Sequence, residues 1–152
     1  MKKLRLIPVL ALVFLLNVAS MCSNDDNNSS FLDPTPIINA ATQGTWRITL
    51  FDDSGNNETA HFTGYNFTFG TNTIIATNGT NTYNGTWSVT NDGSNDDNPG
   101  GDLDFNIHFS SPPDFTELNE DWHIISVTAT KIQLIHVSGG NGGTDYLTFE
   151  KN

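Results

Sequence analysis

Between Asp102 and Phe109 polar and apolar residues alternate without a break. Leu103, Phe105, Ile107 and Phe109 fall on one side, and Asp102, Asp104, Asn106 and His108 on the other. A strand sends successive side chains to opposite faces, so this segment can bury one face and wet the other only as β-structure. The rhythm returns along the chain: Trp46, Ile48 and Leu50 share a face, as do Tyr65, Phe67 and Phe69, then Trp87 with Val89, and Leu147 with Phe149. Thr, Phe, Ile, Val, Trp and Tyr fill these segments, and Gly, Asn and Asp gather between them, which suits pleated half-buried surface and tight turns respectively. Eight strands are expected, over 44–51, 61–69, 73–78, 82–90, 102–110, 119–129, 131–138 and 144–150. The stretch 111–118, with Pro112 and Pro113, breaks the rhythm and is expected to be a loop or one helical turn begun at Asp114. Short strands with one apolar face each predict an all-β domain over 41–152. Its expected form is an eight-stranded antiparallel meander closed as a small barrel, with a β-sandwich as the alternative.

The first residues follow a different logic. Lys2, Lys3 and Arg5 are basic, residues 4–16 are apolar apart from Arg5 and Pro8, and Ala19-Ser20-Met21 precedes a cysteine. This is the three-part pattern of a secretory signal peptide, expected to be residues 1–21. The apolar run falls short of the roughly 20 residues that a membrane span needs. Cys22 is the only cysteine, so no intramolecular disulfide can form. Its place directly behind the apolar segment resembles the lipid-accepting first residue of bacterial lipoproteins, which implies diacylglycerol and palmitate on Cys22 and an anchor in the outer membrane. Met21 departs from that pattern, in which a smaller residue is usual, and a secreted, unlipidated product is the alternative. Ser23, Asn24, Asp25 and Asp26 resemble the short acidic export signal of Bacteroidetes-type lipoproteins, which implies the cell surface. A plain solvated tether is the alternative. Residues 22–40 are expected to be a flexible acidic tether, with Pro34 and Pro36 favouring extended backbone.

The leader also holds half of the basic residues. Without it, Arg47, Lys131 and Lys151 stand against 17 acids, so three minus 17 gives a net charge of −14. Such a surface repels nucleic acid, and no nucleic-acid partner is expected.

Three short motifs carry a family resemblance. Gly44-Thr45-Trp46 opens the first strand, Gly85-Thr86-Trp87 opens the second half of the fourth, and Leu147-Thr148-Phe149-Glu150-Lys151 closes the chain. Over 41–152 this layout resembles the small lipocalin-like (calycin-type) domains of bacterial, flavobacterial-type lipoproteins. The resemblance implies a non-catalytic binding or interaction module for a small apolar ligand or a partner protein. A structural or accessory envelope component with a packed barrel and no ligand is the alternative. There are two departures. Thr144-Asp145-Tyr146 has the letters of a second lipocalin motif but lies at the final strand, where it reads as coincidence. The arginine that lipocalins pack on the tryptophan has no counterpart, and Lys151 is the nearest cation.

Trp46, Tyr65, Phe67, Phe69, Trp87, Phe105, Phe109 and Trp122 are the candidates to line an apolar ligand pocket. An eight-stranded barrel is just wide enough for side chains to fill or for one small ligand, so a packed interior is the competing expectation. The loop 91–102 is acidic, and Asp92 and Asp96 are its calcium candidates. It lacks the Gly and the bidentate Glu of an EF-hand, so a solvated hairpin loop is expected and no metal is assigned. His61, His108, His123 and His136 form no H-x-H or H-x-x-x-H pair, and each is expected to face solvent. No nucleophile elbow, P-loop or dinucleotide fingerprint occurs, so no cofactor and no enzymatic activity are expected.

Overall fold

The computed structural model describes residues 32–92, 102–140 and 142–152. The expected signal peptide, Cys22, Ser23, Asn24, Asp25, Asp26 and Asp96 lie outside these residues. Among the described residues nine strands are present: β1 (Trp46–Asp53), β2 (Asn56–Asn57), β3 (Asn66–Phe69), β4 (Thr73–Thr77), β5 (Thr82–Asp92), β6 (Asp102–Phe109), β7 (Asp121–Val127), β8 (Lys131–Val137) and β9 (Thr144–Lys151). Two short helices accompany them, α1 (Thr35–Ala41) and α2 (Pro113–Thr116), with a 3-10 turn over Thr59–Phe62.

Every neighbouring pair is antiparallel, in the order β1-β3-β4-β5-β6-β7-β8-β9, and β9 returns to β1 from Trp46↔Lys151 to Asp52↔Tyr146. That last ladder closes eight strands into a barrel, and β2 is a small extra arm hairpinned onto β1. Closure removes free sheet edges, which a sandwich would keep. The weakest seam is β1–β3, joined only at Trp46↔Phe67. Part of the expected second strand is instead the 3-10 turn, and only its end, Asn66–Phe69, joins the sheet.

Alternation positions the core, with one local correction. β1 was expected to bury Trp46, Ile48 and Leu50; it buries Trp46, Ile48 and Phe51, while Leu50 is only half-buried. The reason is a bulge: Ile48 pairs with Phe149, but Leu50 pairs with the adjacent Thr148. One extra residue shifts the side-chain phase by one, which hydropathy alone does not reveal.

Where extended tether was expected, residues 35–41 form α1. Pro34 has φ −75° and ψ −12°, and Pro36 sits within the first turn. There a proline loses no helical hydrogen bond and its fixed φ suits the helix. Burial then holds the helix in place. Ala41 is fully buried, Ile37 and Ile38 pack on the core, and Trp46 Nε1 donates to Ala41 O at 2.8 Å. Lys151 Nζ lies 5.1 Å from the centre of the Trp46 ring, within the range of a cation–π contact.

Strand directions define two poles. β1 starts at the α1 pole, so β8 also starts there and β9 ends there. Arg47, Lys131 and Lys151 consequently all lie at the α1 pole, where Arg47 and Lys131 both reach Glu150, at 3.6 and 2.9 Å. The far pole holds the β1–β2 turn, the 3-10 turn, α2, the start of β7 and the β8–β9 turn.

Candidate functional site

The aromatics expected to line a pocket are brought together inside the barrel, ring against ring. Trp46, Phe67, Phe69, Trp87, Phe105, Phe109 and Trp122 are all buried, and Tyr65 is half-buried at the far pole. Ring centroids lie 5.0 Å apart for Phe69–Trp87, 5.2 Å for Trp87–Phe105, 5.4 Å for Phe67–Phe149 and 5.2 Å for Phe109–Phe115. Most of these contacts are edge-to-face, the arrangement favoured by the ring quadrupole. α2 adds Phe115, which meets Phe62, Tyr65, Phe67, Tyr83 and Phe109 and so stoppers the far pole. A shallow surface pocket of about 380 Å³ lies at the opposite pole, between α1 and the β7–β8 turn.

Polar chemistry concentrates at the far pole. Ser54 and Gly55 form the two-residue turn between β1 and β2, with φ of 53° and 90°. Two consecutive positive φ values give a turn whose twist matches its strands. The turn aims Ser54 at the first turn of β9: Ser54 N and Ser54 Oγ both donate to Asp145 Oδ1, at 2.9 and 3.1 Å. Asp145 Oδ2 lies 3.3 Å from His136 Nδ1 on β8. The other ring nitrogen, His136 Nε2, lies 3.5 Å from Glu120 Oε2 and 3.8 Å from Asp121 Oδ1 at the start of β7. Trp122 packs its ring edge-on beneath the imidazole, with centroids 6.2 Å apart. Glycine is required at 143, because a Cβ there would collide with Ser54 Oγ.

His136 was expected to face solvent. It continues the inward row of Ile132 and Leu134 and is largely buried at the barrel mouth. Asp145, read from sequence as a chance match, holds its ring. Neither residue has a recognisable partner nearby in sequence, because β7, the end of β8 and the start of β9 meet only in the closed sheet. The remaining histidines stay on the outside. His123 Nδ1 lies 3.2 Å from Asp104 Oδ1 across the β6–β7 ladder. His108 is exposed on β6.

A second group lies at the same pole. His61 Nδ1 is 3.3 Å from Glu58 Oε2 and 3.8 Å from Glu117 Oε2. Burial and the neighbouring Glu58 carboxylate raise the Glu117 carboxyl above its ordinary range, against a smaller opposing effect of His61. A carboxyl whose pKa is raised on folding costs stability when ionised, and that cost vanishes as pH falls below its folded pKa. Glu117→Gln is therefore expected to raise the melting temperature at pH 7, with the gain disappearing in acid; thermal melts at the two pH values check the sign.

Among the described residues, two sets of three side chains place donor atoms within 4.8 Å of one another: Glu58, His61 and Glu117, and Glu120, Asp121 and His136. Asp92 closes β5, and its fellow calcium candidate Asp96 lies outside the described residues. Compared with known proteins, the chain matches no family model, no curated protein and no solved structure.

Proposed function

We propose that the chain is a non-catalytic envelope lipoprotein: lipid on Cys22 anchors it in the outer membrane, and a lipocalin-like barrel is carried at the cell surface as an interaction module. The observation that carries this reading is the filled interior. Interlocked rings occupy the space where a lipocalin-like barrel would hold an apolar ligand, so binding falls to the outer wall and the far pole. The lipocalin-like assignment draws support from Lys151, which lies against Trp46 where the family packs an arginine. The chain enters the barrel through α1, so an anchor upstream of Leu32 joins it at the pole opposite the Glu120, Asp121 and His136 group. The wall formed by β7, β8 and β9 exposes Ile125, Val137 and Tyr146, which suits a protein partner better than a small ligand.

Cys22→Ala is expected to move the protein from the membrane fraction to the soluble fraction and to abolish incorporation of labelled palmitate. Unchanged membrane association would sink the lipid anchor at this residue.

A further inference from the structure

We propose that Glu120, Asp121 and His136 form a binding site for one zinc-class divalent transition-metal ion, with Asp145 as the residue that positions the imidazole. Three observations carry it. The first is donor geometry. An ion about 2.0–2.1 Å from each donor sets tetrahedral donors about 3.3–3.4 Å apart. His136 Nε2 is already 3.5 Å from Glu120 Oε2 and 3.8 Å from Asp121 Oδ1, so small side-chain adjustments close the shell. A fourth position is left to water or to a donor from a partner.

The second observation is the support behind the imidazole. A metal-bound histidine characteristically donates its other ring N–H to a carboxylate, which fixes the tautomer and ring orientation. Asp145 Oδ2 sits 3.3 Å from His136 Nδ1, and Asp145 is itself held by two donors from Ser54. With Nδ1 turned to Asp145, Nε2 is the ring nitrogen left to face the two carboxylates. The His61 group lacks this construction. There both carboxylates approach the same Nδ1 atom.

The third observation is charge. Asp145, Glu120 and Asp121 bring three carboxylates around one imidazole, and every Lys and Arg of the described chain lies at the opposite pole. A divalent ion would supply two positive charges at the point where the donors converge. The mixed nitrogen and oxygen set selects the class. Imidazole suits zinc, copper and nickel, and calcium would need six to eight oxygens that this site does not offer.

The inference does not depend on the lipid anchor, and the soluble Cys22→Ala protein is expected to bind metal as the parent does. The test is titration of the purified full-length chain with zinc in competition with a chromophoric chelator, with cobalt substitution as a spectroscopic check. One zinc per chain is expected, along with a cobalt spectrum of low-coordinate nitrogen and oxygen ligation. Glu120→Gln, Asp121→Asn and His136→Asn should each weaken binding at least 10-fold, and Asp145→Asn by about 10–100-fold. His61→Asn should bind as the parent, and excess calcium should not displace zinc. Asp121 is 70 % exposed, so Asp121→Asn leaves packing intact and keeps the test decisive should the His136 variant fail to fold. Absence of stoichiometric zinc uptake by the parent overturns the proposal. So does parent-like affinity in both Glu120→Gln and Asp121→Asn, or loss of the site in His61→Asn.

Discussion

Trp46→Ala is expected to remove about 3–5 kcal/mol of folding free energy, the cost of truncating a fully buried large aromatic. The upper end is anticipated because three structural features meet at this side chain. Trp46 is completely buried, and its backbone makes the only β1–β3 ladder pair, with Phe67. Its indole N–H satisfies Ala41 O, which fastens α1 to the barrel, and its ring faces Lys151. The alanine variant loses the packing, leaves a buried carbonyl without its donor, and frees the helix. Domains of this size are stable by about 5–15 kcal/mol, so the loss brings the protein close to unfolding at physiological temperature. Urea denaturation checks the magnitude. Trp46→Phe separates the contributions, because it retains most of the volume but not the hydrogen bond, and about 1–3 kcal/mol is expected for the unsatisfied carbonyl. A loss below about 1 kcal/mol in Trp46→Ala would contradict the account of this pole.

Gly85→Ala is expected to destabilise by about 1–3 kcal/mol, the usual range for an overpacked site, although the generic effect has the opposite sign. Replacing a strand glycine by alanine ordinarily gains about 0.5–1 kcal/mol, because glycine loses the most backbone freedom on folding. Gly85 faces the barrel interior on β5 between Ile74 of β4 and Phe109 of β6. A Cβ there would overlap His108 O and stand 2.9 Å from Phe109 Cδ1 and 3.0 Å from Ile74 Cγ2. The carbonyl belongs to the paired strand and cannot rotate away, so relief requires β5 and β6 to separate. Equilibrium unfolding of Gly85→Ala decides the sign, and any stabilisation would show that the barrel yields at this seam. Gly79 serves as the control. It lies in the β4–β5 turn at φ 85° with open space around its Cα, so Gly79→Ala reports backbone strain without steric overlap.

Gly85 also shows why the Gly-x-Trp pattern could be read before its reason was visible. In the sequence, the letters at 85–87 carried only a family resemblance. The structure supplies the cause, a close approach of β6 at Gly85 and a buried Trp87 whose Nε1 donates to Gly70 O at 2.9 Å. For the candidate site, the order of legibility is reversed. Glu120, Asp121, His136 and Asp145 are spread over 26 positions with no motif spacing, and His136 read as a solvent-facing histidine like the other three. The strand pattern of β8 places it inward, but only β7 and β9 on either side show what it meets there.

By itself, the sequence determined the class of fold, because side-chain alternation has only one backbone conformation that can satisfy it. The approximate places of the barrel strands were legible too, apart from the first half of the second, which is a 3-10 turn. Tertiary structure alone decided the bulge that exchanges Leu50 for Phe51, the helix that closes the α1 pole, and the union of three strands around His136. Each depends on contacts between residues far apart in the chain, and local patterning carries no information about which strand end will stand beside which until the barrel closes.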